Sequence, residues 1–483
     1  MQLPQATSTE TPPGNISGIL RRLGPGLIIA GSIVGSGELI ATTKTGAQAG
    51  FWLLWLIIIG CVIKVFAQVE FGRHAISSGQ ATMTALDEVP GPRLRVNWVL
   101  WYWVAMFLVT LGQLGGIVGG VGSALAMSLP IDGSFNRVLE DPVANACFWS
   151  DDVTWAAIVT GVTIVLLVVG RYGLIQHFST AMVAAFTAVT IFNLFALQTY
   201  PAWRVHASDV AQGMSFRLPP IVEGLTQTPL VTALATFGII GVGANELIAY
   251  PYWCLEKGYA RFAGPRDDTP EWAQRARGWM RVMRWDAGIS MLVYTFATVA
   301  FYLLGAAVLH REGLDPQGNQ MIRVLGEMYV PVFGLWAKWL FLFGAIAVLY
   351  STFFVATAGH TRVAADALCV FGLAERTERD RLRWIRAFCV IFPLFAFVTY
   401  VVHRHPVALI LASGVMQAIM LPILGGATLY FRYCRCDRRI APGRLWDVLL
   451  WVSVFGLLLA GGWIALSKLG TIVDTLLALV TSA

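Results

Sequence analysis

One eight-residue motif occurs twice in this chain, and both copies sit deep inside apolar runs. Val34-Gly35-Ser36-Gly37-Glu38-Leu39-Ile40-Ala41 lies within the run from Gly26 to Gly50, and Val242-Gly243-Ala244-Asn245-Glu246-Leu247-Ile248-Ala249 lies within Pro229 to Cys254. Each copy puts poor helix formers directly before a glutamate: Gly35 and Gly37 in the first, Gly241, Gly243 and Asn245 in the second. Apolar runs of about 20 residues have the reach of a membrane span. A helix interrupted at that depth is stable only where its loose N–H and C=O groups face protein or a watery cavity, because hydrocarbon offers them no partner. The expected fold is all-α and membrane-embedded, with two broken helices and a carboxylate near mid-membrane in each. Broken helices at matching places in two halves of a chain point to the substrate site of a secondary transporter.

Composition supports this class. The 483 residues are 57% hydrophobic and 13% charged, about half the charged share of an ordinary soluble domain. Spans are expected near 25–49, 51–76, 97–127, 153–170, 175–198, 229–254, 285–309, 331–358, 384–402, 407–431 and 446–467, which makes eleven. Arginine and lysine collect in the connections after spans two, four, six, eight and ten, whereas 128–152 holds five acids and Arg137 alone. Cytoplasmic loops gather such positive charge, so the N-terminus is expected inside the cell membrane and the C-terminus outside. Topology thus accounts for the net charge of +6, and nucleic acid is not an expected partner. The expected partners are membrane lipid and a transported ion or small solute, around a monomer. Cys434 and Cys436 fall in a basic connection and Cys147 in an acidic one, so no external disulfide is expected.

The two motif copies are expected to run through the membrane in opposite directions, since span six follows span one by five helices. That is the parity of an inverted five-helix repeat. Residues 1–18 read as a disordered cytoplasmic tail, 19–200 as the first repeat, 201–431 as the second, and 432–483 as a basic loop with the eleventh span. Gly112, Gly115, Gly116, Gly119, Gly120 and Gly122 line span three, as small residues do where helices touch closely. No Walker loop, nucleophile elbow or His-Glu-x-x-His pattern is present, which argues against ATP-driven transport and against an enzyme.

Glu38 and Glu246 are the leading site residues. A charge at the bilayer centre costs about 3 kcal/mol on insertion scales, whereas capping a half-helix returns only about 0.3–1 kcal/mol. Direct contact with a substrate or coupling ion closes that gap better than capping does. Two carboxylates with loose carbonyls at Gly35, Gly37 and Gly243, and with Ser36, Asn245 and Thr42, would make an all-oxygen site. Such ligands suit the hard cations Mg²⁺ or Mn²⁺ as cargo, and small Gly243 and Gly414 would leave room for bound waters. No cofactor is expected.

Lys64, in the middle of span two, complicates this site. It is expected to pair with Glu38, Glu246 or Glu70, or to extend its stem to the interface. With Thr42 and Gln417 it is a candidate for coupling or gating. Lys44 and Lys338 read as interfacial, and His177, His360 and Asp286 as caps or gate residues near helix ends. The alternative function is an H⁺- or Na⁺-coupled symporter of a small organic solute or anion, with Lys64 neutralising a glutamate.

Residues 24–79 resemble the first two helices of the Nramp family of divalent metal ion transporters. The resemblance rests on Gly24-Pro25-Gly26, Gly46-Ala47-Gln48-Ala49-Gly50-Phe51, Leu53-Leu54-Trp55, Gln68 and Gly79, all in one ungapped register. It implies the LeuT-type fold of two inverted five-helix repeats. The family's metal motifs do not carry over. Its Asp-Pro-Gly-Asn falls on Gly35-Ser36-Gly37-Glu38 and its Met-Pro-His on Gly243-Ala244-Asn245. Its acidic residues in the third helix fall on Gly116 and Gly119, and its glutamine in the tenth falls on Gly414.

Overall fold

The computed structural model describes residues 9–141, 149–170, 172–220 and 228–481. Cys147 and Arg171 lie outside the described residues, as does the side chain of His177. Eleven helices take the places of the eleven expected spans. They are Pro25–Ala49, Leu54–Ser78, Trp98–Ser128, Asp151–Val169, Tyr172–Leu197, Pro229–Lys257, Pro270–Leu309, Ala337–Val370, Glu378–Val402, Pro406–Tyr430 and Arg444–Thr481. Among the described residues ten helices are long and apolar enough to cross a membrane, and the fifth is apolar over Ala181–Leu197. Four of the spans begin with proline, whose missing N–H costs nothing in a first turn.

Three spans run well past their expected bounds, the eleventh continuing to Thr481 and the seventh and eighth extending through charged turns. The seventh begins at Pro270 rather than near 285, with Thr269 capping the N–H of Trp272 at 3.2 Å. The expected basic loop is therefore largely helix: it exposes arginines on one side and buries Trp272, Ala276 and Trp279 on the other. The eighth continues to Val370, where Asp366 accepts from the Tyr252 hydroxyl at 2.6 Å. Hydropathy alone stops at such charged turns, although the helix does not. Residues 9–18 also differ from a free tail. Glu10 donates its N–H to the Phe262 carbonyl at 3.1 Å and accepts from the Trp279 ring at 3.0 Å, and a short helix starts at Ile16.

The third span is the hub of a packed group with spans four, eight, nine and ten; spans one, two, six and seven also pack on one another, and the first half of span six lies along span ten. Its glycines explain the closeness. A Cβ added at Gly116 would lie 2.6 Å from the Pro406 carbonyl, at Gly119 2.1 Å from the Tyr400 ring, and at Gly122 2.3 Å from the Asp152 carbonyl. The room expected at Gly414 is filled in the same way, since a Cβ there would meet the Ala235 carbonyl at 2.3 Å. Gly414 is a helix contact and leaves no space for water.

Candidate functional site at the two helix breaks

Both motif copies interrupt their spans, by different means. The first span is a regular helix over Pro25–Ile33, then turns at Val34 and Gly35 into wide π-type turns over Ser36–Thr42. Gly35 lies against the eighth span so tightly that a Cβ would sit 1.9 Å from the Thr352 hydroxyl. The sixth span stops at Ile239, passes through Gly241 at φ +56, and restarts at Ala244. That positive φ is a backbone shape only glycine adopts without strain.

Glu38 is fully buried and reaches across to the other break. Its Oε1 accepts the N–H of Gly241 at 3.2 Å and the hydroxyl of Thr298, on the seventh span, at 3.1 Å. Its Oε2 has no hydrogen-bond partner among the described residues. Glu246 opens the first turn of the restarted helix and is half-buried, with Oε2 beside Gly243 and close to Gln417. The two carboxylates thus stand at the two breaks, Glu38 reaching the N–H of Gly241 and Glu246 lying beside Gly243, two residues further on.

Lys64 makes none of the expected pairings. It is 0% exposed, so it does not reach an interface, and its ammonium donates to the carbonyls of Phe237 and Ile240, the latter at 2.7 Å. The ammonium also stands 4.6 Å from the centre of the Phe237 ring. Glu70 pairs instead with Arg73 at 3.1 Å and accepts from Trp446 at 2.7 Å. Lys64 therefore caps the end of the first half of span six, while Glu38 caps the N–H just beyond it.

A second polar cluster lies on the side of spans three and ten. Gln113 donates to Ser36 at 3.0 Å and accepts from Ser413 at 2.8 Å and Gln417 at 3.1 Å. Asn245 donates to Thr110 at 3.0 Å, and its N–H approaches the Gln417 amide oxygen at 3.3 Å. The expected ligand set is thus divided. Ser36, Asn245 and Gln417 join this amide and hydroxyl network, and Glu38 turns away to Gly241 and Thr298. Thr42 is withdrawn altogether, since its hydroxyl donates to the Gly37 carbonyl within its own turns at 3.0 Å. Among the described residues no three or more His, Cys, Asp or Glu side chains come together as a metal site.

Sequence reasoning missed Thr298, Gln113, Thr110 and Ser413. The last three left a signal: Thr110 with Gln113, and Ser413 with Gln417, are polar pairs at helical spacing on otherwise apolar spans. Thr298 left none, because one hydroxyl in a span is ordinary.

The ends of span one are also held. Asp286 accepts the N–H groups of Gly24 at 2.9 Å and Gly26 at 2.5 Å, together with the Tyr250 hydroxyl at 3.2 Å. That is a cap, one of the two roles expected for it. At the other end Lys44 is buried and pairs with Asp315 at 2.5 Å, where an interfacial position was expected. Gln48 donates to the same carboxylate at 2.9 Å. His360 is buried edge-on to Phe107.

Residues 26–467 match the model of the family described as natural resistance-associated macrophage protein-like, Nramp. The chain belongs to the Nramp family. Its Nramp relatives are distant in sequence. The uncharacterized Pasteurella multocida protein PM0681 is 24% identical over 350 residues, which cover 72% of this chain and 70% of that one. The divalent metal cation transporter MntH of Mycobacterium tuberculosis is 25% identical over 295 residues, covering 60% of this chain and 58% of its own length. In structure, a mutant of the Eremococcus coleocola manganese transporter aligns over 94% of this chain and 88% of its own, at a TM-score of 0.67 and 18% identity. The nucleobase-cation-symport-1 transporter Mhp1 aligns over 96% of both chains at 0.56 and 13% identity. This Nramp chain is thus a multi-pass membrane protein with the LeuT-type fold.

Proposed function

We propose that this Nramp protein is a secondary transporter that works by alternating access, and that its cargo is a hard divalent cation, Mg²⁺ or Mn²⁺, taken up between Glu38 and Glu246. The observation that carries this reading is the Glu38 Oε2 atom, buried at one helix break with no hydrogen-bond partner among the described residues, while Glu246 opens the half-helix at the other break. A buried carboxylate oxygen left unmatched is costly, and a cation with oxygen preference would repay it. The family, and relatives whose names describe divalent metal and manganese transport, support the same cargo class. Motion of spans one, two, six and seven against the group centred on span three would open the site to each face in turn. The run of arginines after even-numbered spans supports a cytoplasmic N-terminus.

The experiment is uptake of Mg²⁺ and Mn²⁺ into proteoliposomes by the purified protein beside Glu38→Gln and Glu246→Gln. Saturable uptake that both variants abolish is the expected result. Absence of uptake by folded, inserted protein would overturn the metal cargo.

One observation favours the symporter reading as well. The amide and hydroxyl network of Gln113, Asn245, Ser413 and Gln417 offers directional hydrogen bonds suited to an organic solute, and Lys64 already holds a positive charge at the break. Solute-dependent uptake with no divalent cation present would decide for it.

A further inference from the structure

The first half of span six ends at Ile239, well inside the span, and a helix leaves its last four carbonyls without intrahelical donors. Thr236 gives its carbonyl to the N–H of Ile240 at 2.9 Å. The carbonyls of Phe237 and Ile240 converge instead on one point, and the ammonium of Lys64 occupies it. The end of a half-helix carries about half a negative charge. Converging carbonyls at such an end are the groups with which broken helices coordinate Na⁺ or H⁺. Lys64 meets them from the second span with its whole stem buried. Among the described residues it forms no salt bridge, so a counter-charge for a touching carboxylate is not what fixes its position.

We propose that the Phe237 and Ile240 carbonyls form a monovalent-cation site and that the Lys64 ammonium is its permanent, tethered occupant. The protein then holds its span-six break without a free Na⁺ or K⁺ at this point. The proposal stands whichever cargo is carried, because it concerns what holds the break rather than what crosses it.

The test is thermal unfolding of the purified protein and of Lys64→Ala, each in choline chloride, NaCl and KCl at equal ionic strength, and in methylammonium chloride. The wild-type melting temperature is expected to be the same in all four. Lys64→Ala should melt several degrees lower in choline and recover about half or more of the loss, saturably, in Na⁺, K⁺ or methylammonium. Glu38→Gln should stay as indifferent to the salt as wild type. Equal melting of Lys64→Ala in every salt would overturn the proposal, and so would Na⁺ or K⁺ stabilising the wild type as strongly as the variant. Should Lys64→Ala fail to fold in choline, expression and purification in methylammonium and in choline are compared. Folded protein from the first alone supports the site, and folding in neither overturns it. Uptake of Mg²⁺ or Mn²⁺ by the wild type is a separate measurement, so loss of the metal reading leaves this result standing.

Discussion

The two motif copies share Val-Gly-x-x-Glu-Leu-Ile-Ala yet are held open in opposite ways. The break in span one is fixed by shape: Gly35 abuts Thr352, and wide turns absorb the displaced hydrogen bonds. The break in span six is fixed by charge, with Lys64 on its carbonyls and Glu38 on its Gly241 N–H. The difference also separates the glutamates. Glu38 spends one oxygen on the partner half, whereas Glu246 sits half-buried at the head of its own half-helix beside Gln417. A duplicated sequence therefore need not make a duplicated site. The local motif sets where the chain breaks, and the neighbours set what its carboxylate does.

The largest effect should come from removing the charged cap. Lys64→Met keeps the length of the stem, leaves no space for a free cation, and strands two buried carbonyls at about 1–3 kcal/mol each. Unfolding in detergent should show a loss of about 2–6 kcal/mol; a change below about 1 kcal/mol would mean the break in span six is not held by charge.

Shape comes next. Gly35→Ala drives a Cβ into the short, stiff Thr352 side chain, at a cost of about 1–3 kcal/mol. Gly243→Ala, the same change in the other copy, meets the ends of Glu246 and Gln417 at 2.6 and 2.9 Å and the Gly238 carbonyl at 3.0 Å, all longer approaches than the 1.9 Å at Gly35. The first variant should melt well below the second. Equal losses would erase the contrast between the two breaks.

Glu38→Gln keeps an oxygen for Gly241 and Thr298, so its stability should stay within about 1 kcal/mol of wild type. Uptake should still fall at least about tenfold, equivalent to about 1.4 kcal/mol. Measured side by side, Glu246→Gln should lose as much uptake with less change in melting. The reverse order of melting would reassign the structural role to Glu246. The smallest effect belongs to Thr110→Val, which removes the hydroxyl that Asn245 and Ser413 meet, for about 0.5–1.5 kcal/mol.

These contrasts mark what the sequence could and could not disclose. Ten of the eleven expected spans, both breaks and the close-contact role of Gly116 and Gly119 were legible, because apolar length, helix-breaking residues and small-residue spacing are local. The long ends of spans seven and eight were not, because charged, amphipathic turns fall below any hydropathy threshold while still burying Trp279 or Asp366. Lys44 and Lys64 resisted for another reason. Their partners, Asp315 and the carbonyls of Phe237 and Ile240, lie far along the chain, and a backbone carbonyl is invisible as a partner in a sequence. The division of the expected ligands, with Ser36 and Asn245 on one side and Glu38 on the other, depends on side-chain direction at irregular turns. No periodicity encodes that.

The glycine row on span three also decides where a reporter of motion is tolerated. At Gly115, Gly116, Gly119 and Gly122 even one added carbon would lie within 3 Å of a neighbouring backbone or ring, so a spin label or fluorophore there would wedge the helices apart. Gly112 alone in that row keeps an ordinary 3.9 Å clearance to both Thr399 and Leu409. Gly112→Ala is therefore the one alanine substitution in the row expected to leave the contacts of span three in place, and a label there would still have to find room beyond that first carbon.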